Sequence, residues 1–391
     1  TCGFIDAAKS EAIDNILELA ALKSGGRLKK LLVTGCLSQR YQGEILSELP
    51  EVDGILGTGS YTDIVPALEA AMGGETPQLF GDIDHTEEDG ARVLTTPPYT
   101  AYLKIAEGCD NRCAYCVIPS LRGKFRSRTK ESILEEARLL AASGVKELII
   151  VAQDITRYGI DLYGKVCLTE LLKELCKLDF RWVRLHYLYP ELIDDELIDE
   201  IASEDKIVKY LDIPIQHIND TILRRMNRRG TGEEIRALFK KLRERIPGLV
   251  LRTSLITGLP GEGEAEFEEL CDFLREAKIE RPGVFPYSPE EGTPAALMPD
   301  RCSTEEARRR AELCMEIQAE IMDGFAETFI GRELDVLVMG REPDGTPWGR
   351  SEYDSPDIDS RVIFSGGAAP GDMVRVRIDS VDDGELIGEQ I

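Results

Sequence analysis

Residues 108–116 read GCDNRCAYC and place three cysteines, Cys109, Cys113 and Cys116, within eight positions. Thiolate sulfur is a soft ligand that suits iron-sulfur and zinc sites. Three thiolates on one short loop can hold three corners of a four-iron cluster, which leaves the fourth iron open. An open iron can chelate the amino and carboxylate groups of S-adenosylmethionine, and an electron passed through the cluster can cleave that molecule to a deoxyadenosyl radical. A zinc knuckle is the alternative, and it usually takes a fourth Cys or His. The chain has three histidines, His85, His186 and His217, and none is close in sequence to the loop.

Further polar residues stand where chemistry is expected. Gln153 and Asp154 in VAQD fall at the end of a strand and are candidates for the amino or ribose part of S-adenosylmethionine; a helix N-cap would use the same residues. Arg252 and Thr253 are candidates for its adenosyl or carboxylate part, with a structural ion pair as the competing role. GLPGE, residues 258–262, offers glycine turns for close backbone approach, or simply a loop before a helix. His217 in LDIPIQH is a candidate substrate contact, although a hydrogen-bonded structural histidine is the commoner outcome. LRGKFRSRTK, residues 121–130, has five basic residues and no acid, so Arg122 and Arg126 are candidates for gripping a substrate carboxylate or an acidic surface; solvated basic runs are also common. Cys167, Cys176, Cys271, Cys302 and Cys314 lack ligand spacing and read as packing residues.

The elements that must position these residues follow from periodicity. Up to about residue 98, a helix near 7–23, the strand KKLLVTG, a helix near 38–47, the strand DGILGTG and another helix read as a small α/β domain. The acidic, proline-ended run at 81–99 reads as a linker. From 101 to 290 six apolar strands alternate with amphipathic helices: AYLKIAE, ELIIVAQ, WVRLHYL, VKYLDIP, LVLRTSLIT and GVFPYS. Six βα units imply a parallel sheet, either an open barrel or a doubly wound sheet, and in a barrel the chemistry gathers on loops after the strands. The cysteine loop follows the first strand. A long helix over TEEARRRAELCMEIQAEIMDGFAETFI leads to LDVLVMG, RVIFS and MVRVRIDSV, which alternate with turns and predict a small β-barrel.

Composition sets bounds. The chain of 391 residues allows two or three domains. A net charge of −25 argues against broad electrostatic binding to nucleic acid. No apolar run reaches the ~18 residues of a membrane span, and no export signal is seen, so ten cysteines point to metal or redox use in the cytoplasm rather than to disulfides. The first residue is Thr1, inside what reads as a motif, and residues upstream are expected to be missing.

The cysteine spacing, with Tyr115 before the last cysteine, resembles the radical S-adenosylmethionine superfamily. GCDNRCAYCVIPSLRGKFRSR, VAQDITRYG, HYLYP, LDIPIQH, MNRRG, SLITGLPGE, GVFPYSPEEGTPA and RSEYDSPDID, in this order, resemble its methylthiotransferase family over nearly the whole chain. CDNRCAYCVIPS and VAQDITRYG point to the branch that methylthiolates an aspartate of the twelfth small-subunit ribosomal protein. The resemblance implies an amino-terminal α/β domain (1–85), a central open (βα)6 partial TIM barrel (99–325) and a carboxyl-terminal TRAM-like barrel (328–391). It also implies two four-iron clusters, one on Cys109, Cys113 and Cys116 and one on Cys2, Cys36 and a third cysteine upstream of Thr1. S-adenosylmethionine would be bound near Tyr115, Gln153, Asp154, Arg252 and Thr253, and the substrate near Arg122, Arg126 and His217. The partners implied are the ribosomal protein and an electron donor such as flavodoxin or ferredoxin.

Two clusters suit the target, an unactivated C–H carbon that general acid–base catalysis cannot readily deprotonate. The nearest alternative is the tRNA adenosine methylthiotransferase of the MiaB type, whose TRAM barrel is thought to hold RNA. Here residues 331–391 contain six Arg, no Lys and fourteen Asp or Glu, about −8 in all, which would repel RNA and attract a basic protein. A zinc-stabilised ribosome-binding protein is a third, more distant reading.

Overall fold

The computed structural model describes residues 1–85 and 92–391; positions 86–91, inside the expected linker, lie outside the described residues. No described helix is long and apolar enough to cross a membrane. The chain groups into two compact units, one built from residues 1–90, 107–126 and 288–298, the other from 91–106, 127–287 and 299–391.

In the first unit a helix Asp6–Ser24 precedes a three-stranded parallel sheet of Leu32–Thr34, Gly54–Leu56 and Gln78–Leu79. Ala12, Ile16 and Ala20 on the helix pack against Leu31, Val33 and Ile55 of the sheet. The helix expected near 38–47 is two helices, Cys36–Tyr41 and Gly43–Glu48. The break is at Gln42, whose positive φ of 38° ends the first helix while its N–H donates back to Ser38 O.

The second unit contains the six central strands in strictly sequential order, all parallel: Thr100–Lys104, Glu147–Val151, Trp182–Leu185, Ile207–Asp212, Val250–Thr257 and Arg281–Pro286. A doubly wound sheet reverses its strand order at a switch point. Sequential order therefore selects the open-barrel alternative. Capping residues start the helices as their chemistry dictates: Thr129 Oγ1 accepts from Ser132 N–H ahead of Lys130–Ala142, and Ser303 Oγ accepts from Glu306 N–H ahead of Thr304–Glu327.

Because side chains alternate across a strand, each strand has two faces. One row, Leu148, Ile150, Val183, Leu185, Leu211 and Leu251, is aliphatic and fully buried. The opposite, inner face carries Glu147, Trp182, Arg184, Tyr210, Asp212, Val250, Arg252 and Arg281. Tyr99, Trp182, Val208, Tyr210 and Val250 pack there against Leu337 of the tail.

The tail is a closed five-stranded barrel, in the order Glu333–Arg341, Pro347–Ser351, Val362–Ser365, Glu385–Gln390 and Met373–Asp382. Val336, Val338, Val362, Phe364, Val376, Ile378 and Leu386 fill it, with Ala326 and Phe329 from the preceding helical region. The strands PWGRS and ELIGEQ were not evident from periodicity. Each is built around a glycine that brings two backbones together: a Cβ on Gly349 would lie 2.3 Å from Leu337 O, and one on Gly388 would lie 2.2 Å from Arg377 O.

Candidate functional site

The cysteine loop leaves the first central strand through two backbone reversals, Gly108 with φ +79° and Arg112 with φ +50°. Glycine is required at 108, since a Cβ there would sit 2.0 Å from Lys124 O. Cys109 N–H donates to Gly123 O at 3.1 Å, Phe125 N–H to Asp110 Oδ1 at 3.3 Å, and Cys116 N–H to Cys113 O at 3.0 Å. The loop is thus folded on itself and pinned to the 123–125 segment. Cys113 is buried while Cys109, Tyr115 and Cys116 are half-buried, and Ala114, Val117, Leu121 and Phe125 supply an apolar backing.

This donor set fits an iron-sulfur cluster: three thiols on one braced, partly dehydrated loop. Among the described residues no three His, Cys, Asp or Glu side chains converge on one point as a single metal ion would require. A four-iron cluster spreads its thiolates over separate irons and needs no such convergence.

Cys2 and Cys36 are brought side by side in the same unit. Thr1 O accepts from Cys36 N–H at 3.1 Å, and Thr1 N donates to Thr34 O at 2.8 Å. Gly3 is pressed so closely on Cys36 and Leu37 that a Cβ would meet Leu37 Cα at 2.9 Å. Cys36 also packs with Val117 and Leu121, the residues just past Cys116. The two cysteine sets therefore belong to one packed cluster of loops, which the sequence did not reveal.

Several expected contacts have other roles. Arg122 does not extend outward: its Nε donates to Cys36 Sγ at 3.2 Å and its Nη1 lies 3.5 Å from Glu107. Arg126 donates to His85 O at 3.0 Å and to Arg122 O and Lys124 O at 2.8 and 2.9 Å, so it braces the loop with its guanidinium rather than offering it to a substrate.

In the second unit, Asp154 is fully buried and caps the 3-10 turn Ile155–Arg157 by accepting Thr156 N–H at 3.1 Å; Gln153 beside it is half-buried. Thr253 is also fully buried, its hydroxyl donating to Ile213 O at 2.8 Å and accepting Ile215 N–H at 3.2 Å. It ties its strand to the segment that follows Ile207–Asp212, and its one proton is already donated. Arg252 is half-buried between Asp359, at 3.5 Å, and Asp212, at 3.8 Å. His217, expected at substrate, is fully buried: Nδ1 accepts Asn219 N–H at 3.0 Å and Nε2 lies 3.3 Å from Glu262. Glu262 of GLPGE also accepts Gly258 N–H and pairs with Arg310 at 2.9 Å. Burial would raise its carboxyl, but His217 and Arg310 hold it below the usual range. These residues form a structural network.

Other residues on the inner face carry function-grade features that sequence reasoning missed. Burial pushes Asp212 up to about 6, and among the described residues its Oδ1 has no hydrogen-bond partner. Its signal in the sequence was a lone carboxylate ending a mostly apolar strand, IVKYLD. RSEYDSPDID was recognisable, but its position was not: the segment lies along the inner face of the sheet. Arg350 and Arg184 both donate to the buried Glu147, Arg184 Nε at 2.9 Å. Burial alone would raise Glu147, yet the two guanidiniums hold it near 2. Arg281 Nη2 meets Asp354 at 2.7 Å, Ser355 Oγ is 3.1 Å from His186 Nε2, and Tyr210 OH donates to Asp359 at 2.6 Å.

Comparison with known proteins agrees with this architecture. Residues 103–274 match the radical SAM superfamily, 330–391 the TRAM domain, and 1–57 the uncharacterized protein family UPF0004. A protein named ribosomal protein uS12 methylthiotransferase RimO from Geobacter sulfurreducens is 51% identical over 100% of this chain and 89% of its own length. One of the same name from Lachnoclostridium phytofermentans is 49% identical over 99% of this chain and 89% of its own. Among solved structures, the radical S-adenosylmethionine methyltransferase TsrM from Kitasatospora setae superposes with a TM-score of 0.53 at 14% identity, covering 81% of this chain and 62% of that one. At that identity the likeness concerns the fold alone.

Proposed function

The chain belongs to the radical S-adenosylmethionine methylthiotransferases, in the uS12 branch named RimO, and from that premise we propose that it attaches a methylthio group to the β-carbon of an aspartate in ribosomal protein uS12. The observation that carries this reading is identity near 50% over 99% or more of the chain. Cys109, Cys113 and Cys116 would hold a four-iron cluster with one open iron. When bound, that cluster supplies the one-electron cleavage of S-adenosylmethionine needed to take hydrogen from an unactivated carbon. The chain's own residues set the stage for it. Gly108 and Arg112 shape the loop, the 123–125 segment pins it, and Val117 and Leu121 keep water from its base.

Cys2 and Cys36 are candidates for two ligands of a second cluster, with Arg122 donating to the Cys36 sulfur. Its third cysteine and the external electron donor, of the flavodoxin or ferredoxin class, remain part of the proposal, as do the cytoplasmic location and the three-part division at 1–85, 99–325 and 328–391. The test is a competition assay: the anaerobically reconstituted protein is offered uS12 and tRNA together with S-adenosylmethionine and a reductant. Methylthio-aspartate in uS12 is the expected product. Methylthio-adenosine alone would overturn the reading.

A further inference from the structure

The segment after Arg350 rises along the inner face from one end of the strands toward the other. Its entry is fixed at the amino end of one strand, where Arg350 meets Glu147, and by Asp354 it has reached Arg281, which lies level with Asp212, the last residue of Ile207–Asp212. Ser355 has already reached His186, just past the end of Trp182–Leu185. Asp359 then comes back to mid-strand at Tyr210, beside Arg252. Residues 356–358 are therefore the tip of a hairpin-like turn, made at Asp357 with φ +65°, directed toward the carboxyl ends of the strands. Parallel sheets assemble their chemistry at that end.

The tip differs from its stem. Asp354 and Asp359 are buried and paired, whereas Asp357 is exposed and Ile358 is 53% exposed. Two tyrosines flank it. Tyr102, on the first strand, is 37% exposed and within electrostatic reach of both Asp357 and Tyr187. Tyr187 is 48% exposed and held at φ +63°, a costly conformation for a bulky residue. Its N–H donates to Asp212 Oδ2 at 3.3 Å and its carbonyl accepts from Ile155 N–H at 3.1 Å, and these bonds maintain the strain. A well-anchored loop thus presents a carboxylate and an apolar side chain among aromatic rings.

We propose that Asp357, with Ile358, Tyr102 and Tyr187 around it, determines substrate specificity by taking a Lys or Arg side chain that neighbours the target aspartate in the polypeptide. A cation there gains an ion pair, with exposed aromatic side chains beside it that can take up its apolar stem. Nucleic acid is disfavoured, because the carboxylate would meet phosphate. The inference rests on the uS12 reading and refines it.

The test uses the reconstituted holoenzyme with uS12. Asp357→Asn keeps the shape and, as Asn tolerates positive φ, the turn. It should raise KM for uS12 by about two- to five-fold rather than lower kcat. The residues flanking the target aspartate in uS12 are also replaced one at a time by Ala: a Lys or Arg among them should cost the wild type at least that factor and cost the variant less, the signature of a coupled pair. An unchanged KM for Asp357→Asn, or fully additive losses, overturns this inference while leaving the uS12 reading intact. A wild-type enzyme that modifies tRNA and not uS12 overturns both.

Discussion

The proposed cluster loop was legible because such a loop is local: its three candidate ligands, Cys109, Cys113 and Cys116, lie within eight residues, and the glycine that shapes it is next door. Asp154, Thr253 and His217 were not, because a polar side chain at a strand end has the same sequence signature whether it caps a backbone group or faces a ligand. Only the tertiary partner distinguishes the roles, as Thr253 shows by bonding to Ile213 and Ile215 across the strand gap. Arg122 makes the same point in the other direction: a basic run suggested an exposed grip, and the guanidinium turned inward to a thiol. Ala at any one of the three loop cysteines should remove the iron bound there and abolish S-adenosylmethionine cleavage, read as iron per chain and as deoxyadenosine formed. Full cleavage by such a variant would refute the assignment of the loop as the cluster site.

Among the elements, the amphipathic helices and all six central strands followed their hydrophobic periods, since burial of one face is a property of the segment itself. The exceptions were set by backbone geometry. Gln42 divides one expected helix, and the glycine-centred barrel strands have little apolar alternation to reveal them. GLPGE offered turn glycines for close backbone approach or for a loop before a helix, and the structure shows the approach. Gly258 has φ +76°, and a Cβ on it would lie 2.4 Å from the Cβ of Ala307. Gly258→Ala should therefore destabilise the second unit by about 2–4 kcal/mol, from backbone strain plus overpacking. A denaturant melt monitored at the tryptophans would measure it; a loss under about 0.5 kcal/mol would show that the contact relaxes freely.

At the scale of the whole chain, composition predicted an acidic tail attractive to a basic partner, but could not show that two of its acids and one of its arginines are interior parts of the second unit. Glu147 there is neutralised by Arg184 and Arg350 together. Glu147→Gln leaves two guanidiniums without their counter-ion and should cost about 3–5 kcal/mol, visible as a lowered midpoint in urea. The same network predicts the response to acid. Glu147 is held near 2 against a usual 4.5, so its stabilisation is present above pH 4.5 and is lost as pH falls toward 2. His186 is pushed to about 3 from 6.5, first by burial and then by Arg184 and Arg252, so the folded form loses ground from pH 6.5 downward. Asp212, raised to about 6 from 3.8, acts oppositely and stabilises as pH falls between those values. The opposed trends of His186 and Asp212 should keep Tm shallow in pH between about 6 and 4.5, and Tm should fall steeply below about 4, where Glu147 and His186 act together. A Tm that stays flat to pH 3 would contradict the pairing.

The separation of 203 positions from Glu147 to Arg350 also sets a schedule. A nascent chain presents Glu147 and Arg184 early, but the second guanidinium emerges only after roughly 10–40 s more of synthesis at ~5–20 residues per second. Until then the inner face lacks Leu337 over its aromatic patch and the hairpin that fills its length. A chain that stops short is left with an exposed hydrophobic surface and an underneutralised buried acid, the marks by which quality control separates unfinished copies from finished ones. The second unit thus cannot complete its inner face until the segment around Arg350 has been made.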